Sequence, residues 1–468
     1  MILPRLLIAG THSGVGKTTV TLALLAAFRS RKLQVQPFKV GPDFIDPGYH
    51  QLASGRASRN LDGWMLGAVL NRMIFQRAAQ DADLSIIEGV MGLFDGSSPI
   101  NEIGSSAEMA KQLNAPVLLV VDGSAMARSA AAMVLGYSSF DSDIHIAGVV
   151  FNRVNSDGHY RLLKDAVEKE TNVPAMGYFP QESNLTISDR HLGLRTALEG
   201  TDSELYARLG QAATHILDLE RIETLARSSP EWVESLEPPR VKSVAQPGQS
   251  VRIGVAYDPA FCFYYHDNFD LLEEAGGELV RFSPMQDHHI PESDVLYFGG
   301  GYPEIYANVL AENTSMLASI REFVRQGGIV YAECGGLMYL SRTLRDFDGK
   351  VYGMVGGIPG DVVMSRTKMT LGYRELTLTQ SGLLGEKDRR IRGHEFHYSH
   401  LENVEDIEYV GRMTDARGND CGSDGIVVNN VVALYTHLHF ASYPHVPVTM
   451  LETARDQRKI GIASHDRN

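Results

Sequence analysis

The stretch Gly10–Thr19, GTHSGVGKTT, constrains this chain more than any other, because it joins an apolar run (Leu6–Ala9) directly to a helix-forming one that reads as Val20–Arg31. A strand, a glycine-rich loop and a helix start, in that order, make a phosphate cradle. The glycines let backbone N–H groups curl around the anion, and the helix N-terminus adds the positive end of its dipole. Gly14 and Gly16 then shape the loop, Lys17 reaches the outer phosphates of a nucleotide, Thr18 offers its hydroxyl to Mg²⁺, and Thr19 continues the first helical turn. The spacing departs from GxxxxGK[ST], since the leading glycine, Gly10, falls one position early and Thr11 takes its place. A glycine-rich turn with a chance lysine is the bland alternative, and the flanking patterns argue against it.

At 468 residues the chain is too long for one ordinary core, and two domains are expected at ~100–200 residues each. A net charge of −14 excludes a general nucleic-acid surface, which needs a basic face, so any anionic ligand must be held by local basic groups. No apolar run reaches the ~20 residues of a membrane span. The apolar start runs straight into the glycine loop with no cleavage site, so it is read as a first strand rather than a signal peptide. Three cysteines, Cys262, Cys334 and Cys421, lack zinc-like spacing and fit a reducing compartment, which makes the cytoplasm the expected location.

After the loop, Val35–Val40 reads as a strand that ends in Lys39 and the turn GPDFIDP. Asp43 and Asp46 thus lie at the carboxyl end of a strand, the edge where open α/β sheets bind ligands; helix capping is their bland alternative. Leu84–Ile87 brings Glu88 and Asp95 to the same edge. Mg²⁺ takes a few carboxylates along with phosphate oxygens and water, so Thr18, Asp43, Asp46 and Glu88 make a candidate ion cradle. Two further apolar runs, Ala115–Val121 and Ile144–Phe151, alternate with helical segments (Ser105–Leu113, Ala125–Tyr137), which predicts a parallel sheet with helices on both faces. Asn152, at a strand end, is a candidate adenine reader or a turn former. Arg190, His191 and Arg195 are basic groups in an acidic chain, either a substrate site or a solvated face.

Helical patterning from Asp202 to about Arg227 gives way to the segment SSPEWVESLEPPRVKSVAQPGQS, rich in proline and serine, and a new strand starts at Val251. The expected division is a first domain over 1–200, a helical segment and linker over 201–249, and a second α/β domain over 250–468. In the second, Gly328–Ala332 runs into Glu333, Cys334, Gly335 and Gly336 and then a helix-like LMYLSRTL. A cysteine at a tight strand-to-helix turn is a nucleophile elbow, where the helix N-terminus is expected to lower its pKa. Backbone N–H groups of Gly300 and Gly301, in the turn GGGYPE, are candidate oxyanion donors. YTHLHF places His437 and His439 two apart on a strand-like run, and either is a candidate general base. RGHEFHYSH (Arg392–His400) lacks the spacing of a zinc helix and is read as a structural strand.

Taken together, GTHSGVGKTT, PFKVGPDFIDPGYH, NLDGWM, EGVMGLFDG, RHLGL, DPAFCFYYHDNFDLLEEAG, FGGGYPE, AECGGLMYL and RGHEFHYSH, in that order, resemble the CobB/CbiA family of cobalamin-pathway amidotransferases over nearly the whole chain. The first half is similar to dethiobiotin synthetase, whose glycine loop carries the same extra residue, and the second to a triad-type class I glutamine amidotransferase. The resemblance implies ATP and Mg²⁺ at the first-half loop, Cys334 as a glutaminase nucleophile made more reactive by His437, and a cobalt corrinoid polycarboxylate amidated at its c and a side chains. It leaves a homodimer as an expectation, and Asp95, Arg190, His191 and Arg195 as candidate substrate contacts. One departure stands out: amidotransferases of this type have Glu two positions after the histidine, and here that place is His439, so no orienting acid is identified. Metal-free hydrogenobyrinate or nickel sirohydrochlorin are alternative substrates, and a nucleotide-switched binding protein with an inert second domain is an alternative of another class.

Overall fold

Seven parallel strands form the first sheet, in the order Arg59–Leu61, Val35–Val40, Leu84–Glu88, Arg5–Gly10, Val117–Asp122, Ile146–Val154, Ala175–Pro180. The central runs are apolar end to end because helices cover both faces: Leu6–Ala9 and Val117–Val121 are all buried. The computed structural model describes the chain apart from residues 182–188, 191–192, 195, 201–202, 234–249, 405–406 and 466–468, with backbone alone at 189–190, 193–194, 203 and 460–465. His191 and Arg195 lie outside the described residues. Arg190 ends a two-residue strand, Asp189–Arg190, paired with Gly193–Leu194.

The chain divides into two compact units, Met1–Pro238 and Pro239–Asn468. Helices Ser203–Ile216 and Leu219–Arg227 belong to the first. They contribute Leu209, Ala213 and Ile222 to the same core as Val20, Leu24 and Phe28 of the helix Lys17–Ser30. A Cβ on Gly210 would lie 3.1 Å from the Ala26 backbone, so the missing side chain lets the two helices meet closely. Trp232 is buried against Phe75 of the helix Gly67–Ala79, with ring centroids 5.2 Å apart, and its indole N–H donates to Gln76 at 2.8 Å.

In the second unit a ten-stranded sheet starts with five parallel strands, in the order Gly277–Phe282, Val251–Ala256, Val295–Phe298, Ile329–Glu333, Val431–Leu434. It continues through antiparallel strands Asp420–Val428, Glu408–Thr414, Thr370–Leu378, Arg390–His397 and His437–Leu438. RGHEFHYSH is therefore largely a strand, and it pairs His394 with His437. Both units are α/β; the first sheet is parallel throughout, and the second is parallel over its first five strands and antiparallel beyond them. No described helix is long and apolar enough to cross a membrane.

Candidate active sites

In the first unit the loop after Arg5–Gly10 takes its shape from Gly14 (φ 76°) and Gly16 (φ 105°), a region closed to most side chains. A Cβ on Gly16 would lie 2.0 Å from the Asn152 amide nitrogen, which itself donates to the Val15 carbonyl at 2.9 Å. Asn152, expected as an adenine reader, thus has its N–H on the loop backbone. Arg153 donates to the Gly14 carbonyl at 2.7 Å while paired to Asp122 at 2.5 Å, and the Tyr137 hydroxyl donates to the Thr11 carbonyl at 2.5 Å. The carbonyls of this loop are tied back by neighbouring elements, which leaves its N–H groups for an anion. Lys17 heads the helix, and its ammonium donates to the carbonyls of Met91 (2.5 Å) and His12 (3.4 Å). Burial first, then the charge of Lys39, lowers its pKa to about 8. Thr19 stands beside Thr18 in the first turn.

Four residues expected as an ion cradle converge, around a group that sequence reasoning passed over. The Lys39 ammonium is buried 2.5 Å from Asp46, 2.9 Å from Glu88 and 3.7 Å from Asp43. The Thr18 hydroxyl donates to Glu88 Oε1 at 2.7 Å, and His50 bonds Glu88 Oε2 at 2.7 Å. Burial alone would raise the Glu88 pKa; Lys39 and His50 outweigh it and hold the group ionised. Burial and the charge of Asp43 push Asp46 the other way. Asp43 also fills its capping role, accepting from the N–H of Ile45 (2.7 Å) and Asp46 (3.2 Å). Asp95 accepts from Gly92 N–H at 2.9 Å, and the Leu93 N–H donates to the Gly10 carbonyl at 2.8 Å, which fastens the 91–95 turn beside the loop. Among the described residues no three His, Cys, Asp or Glu side chains group as a metal site. The touching Thr18 and Glu88 oxygens at the loop exit nonetheless suit Mg²⁺, which needs only one or two protein oxygens when phosphates complete its shell.

In the second unit Cys334 follows the strand Ile329–Glu333 with φ 45° and ψ −101°, a strained elbow that starts the short helix Gly335–Leu340. Gly335 and Gly336 allow the helix to press on the next strand end: a Cβ on Gly336 would lie 2.5 Å from the Phe298 carbonyl, and one on Gly335 3.0 Å from Gly301 N. Gly300 offers less as an oxyanion donor, since its N–H donates to Phe263 at 3.3 Å. The His437 ring lies against the same turn, with Cε1 2.2 Å from where a Gly300 Cβ would sit. The expectation of a lowered thiol pKa is corrected. Burial, followed by the charge of Glu304, drives Cys334 far above its ordinary value, and the Gly335 N–H offsets only part of this. Burial also lowers His437 to about 3, so the resting groups are a thiol and a neutral imidazole.

His437 and His439 have different neighbours, the Gly300 turn for the first and Tyr265 for the second. The strand ends at Leu438 and a 3₁₀ turn begins at Phe440, so the alternation rule stops applying between them. His439 packs against Tyr265 with ring centroids 4.6 Å apart and the rings tilted by 31°, and both its ring nitrogens are buried without a hydrogen-bond partner among the described residues. Asn268 holds this segment by donating to the Leu438 carbonyl and accepting from the Phe440 N–H, both at 2.8 Å. Glu333, which sequence reasoning passed over, has a carboxylate oxygen 3.8 Å from His437 Nδ1. The signal for it was adjacency to Cys334.

A strand, glycine loop and helix in one unit, with a cysteine elbow and buried histidine in the other, have matching family models. The CobQ/CobB/MinD/ParA nucleotide binding domain matches residues 6–194, and the CobB/CobQ-like glutamine amidotransferase domain matches 252–445. The class they define is an amidating carbon–nitrogen ligase that takes its nitrogen from glutamine. Curated relatives span both units. A cobyrinate a,c-diamide synthase of Priestia megaterium is 43% identical over 97% of this chain and 98% of its own length. Those of Salmonella typhimurium (42%; 96% and 98%) and Syntrophotalea carbinolica (44%; 98% and 100%) are similar to the same extent. The chain belongs to the cobyrinate a,c-diamide synthase family.

Proposed function

We propose that this chain amidates the c and a carboxylates of cobyrinate, a cobalt corrinoid, with one ATP and one glutamine per amide. The reading rests above all on the convergence of Cys334, His437 and the Gly299–Gly301 turn in one unit, in a chain whose other unit carries the phosphate loop. A carboxylate is a poor acyl acceptor. Transfer of the ATP γ-phosphoryl group to it gives an acyl phosphate and ADP; ammonia then displaces phosphate to leave the amide. The N–H groups of the loop and Lys17 hold the phosphates, and Lys39 places a positive charge among Asp43, Asp46 and Glu88, beside that chemistry. Thr18 and Glu88 would hold Mg²⁺, which would supply charge neutralisation on the phosphates. Asp95, Arg190, His191 and Arg195 are proposed to meet the corrinoid.

At the elbow, Cys334 Sγ attacks the glutamine carboxamide carbon while its proton passes to His437 and on to the departing ammonia. Water then hydrolyses the thioester to glutamate. A buried thiol and neutral imidazole suit this concerted transfer, and the Gly301 N–H is the better placed oxyanion donor.

The test is incorporation of amide-¹⁵N from labelled glutamine into cobyrinate. Wild type should place two ¹⁵N per corrinoid with ATP present. Cys334→Ala should place none from glutamine and still form both amides from ammonium. Equal incorporation in Cys334→Ala removes the glutaminase assignment, and exclusive turnover of a metal-free or nickel macrocycle changes the substrate.

A further inference from the structure

Glu333 ends the strand Ile329–Glu333 and Cys334 follows at once, so the fold delivers an acid to the elbow with nothing between them. Its carboxylate is buried and accepts from the Tyr331 hydroxyl at 2.6 Å, the Leu438 N–H at 3.1 Å and the Tyr297 hydroxyl at 3.3 Å. Leu438 is the residue after His437. One carboxylate therefore fixes the backbone that carries the histidine and lies 3.8 Å from the histidine's Nδ1. An acid in this position does three things: it favours the tautomer with a proton on Nδ1, leaves Nε2 to take the thiol proton, and stabilises the imidazolium that results. The other place where an acid would be sought, two residues past His437, is taken by His439 on Tyr265.

We propose that Glu333 is the positioning residue for His437, an orienting acid supplied from the residue before the nucleophile instead of from the histidine's own strand. The proposal rests on the reading of Cys334 and His437 as a glutaminase pair. As the Sγ–C bond forms on the glutamine carboxamide, the Sγ proton moves to His437 Nε2 and later leaves on ammonia; Glu333 exchanges no proton and contributes charge.

Several groups face this arrangement. Tyr264, Tyr297 and Tyr331 surround Glu333, His394 and His397 face His437, and Glu304 and Glu395 act on Cys334. Burial raises Glu333 to about 8, against its three donors. The acid ionises as pH rises through that value, and glutamine hydrolysis should rise with it.

The experiment measures glutamine hydrolysis from pH 6 to 9.5 in the full chain, with each rate divided by the ammonia-dependent amidation rate of the same preparation. Glu333→Gln should lower kcat about 10- to 100-fold with KM for glutamine within about threefold, and lose the alkaline rise. Tyr331→Phe, which removes one donor to the carboxylate, should move the rise to higher pH, and it carries the test if Glu333→Gln does not fold. Wild-type kcat and an unchanged rise in Glu333→Gln, or an unmoved rise in Tyr331→Phe, would overturn the proposal and leave Glu333 a structural anchor. Retained hydrolysis in Cys334→Ala is the separate result that would overturn the underlying reading.

Discussion

Gly300 carries no side chain, and the space it leaves is filled by the His437 ring, whose Cε1 lies 2.2 Å from a Cβ built there. Its φ is not among the positive values, so alanine is acceptable to the backbone and the cost is steric alone. Gly300→Ala should move the imidazole and lower glutamine-dependent turnover by about 10²-fold or more, because misplacing a proton acceptor by about 1 Å has that effect. The ratio of ammonia- to glutamine-dependent rates reads it directly. Glu333 makes a different kind of statement. Its ordinary value is 4.5 and burial raises it to about 8. Between those values the folded chain holds a proton that the unfolded chain releases, so the stability present below about 4.5 is lost as pH rises through about 8. Glu333→Gln has no such proton. Its melting temperature relative to wild type should climb between pH 5 and 9, and a constant difference by calorimetry would contradict this.

At the scale of elements, the ends of Val35–Val40 and Leu84–Glu88 and the helix Ile45–Ser54 meet through Lys39, Glu88, Asp46 and His50. Removing one partner of a buried ion network leaves its opposite charge uncompensated. Lys39→Met should therefore destabilise the first unit by ~3–5 kcal/mol, and should abolish ATP-dependent turnover even at temperatures where the variant is folded. This network shows where sequence reasoning stops. The glycine loop, its strand and its helix were legible because each is a local pattern: an apolar run, glycines at fixed offsets, then a helical run. The elbow at Cys334 was legible for the same reason. The carboxylates were found by their place at strand ends, but their partner Lys39 lies within the strand and meets them only once separate elements are stacked. Glu333 was hidden differently. It lies next to the nucleophile in the chain, but its relation to His437, over a hundred residues away, exists only because Val431–Leu434 lies beside Ile329–Glu333. In the antiparallel half of the second sheet RGHEFHYSH is legible as a strand, whereas Thr370–Leu378, Glu408–Thr414 and Asp420–Val428 are not, since glycines and charged residues interrupt their apolar runs.

At the scale of the molecule, the helical segment after residue 200 completes the first core, and the second unit has cores of its own. Unfolding followed by calorimetry should show two transitions. ATP with Mg²⁺ at a hundred times its dissociation constant should raise the one carried by Met1–Pro238 by about 5–10 °C. A single transition displaced as a whole would mean that the units unfold together. The Tyr137 hydroxyl on the Thr11 carbonyl has a bearing on how such a molecule can be altered. Thr11 is the residue by which this loop exceeds the usual length, and the helix Ser129–Phe140 supplies the donor for its carbonyl. Loop length is thus recorded twice in the chain, once in the loop and once more than a hundred residues later. A graft that shortened the loop while keeping the helix would strand a phenol without its acceptor, so the two segments form one unit of inheritance and must be exchanged together.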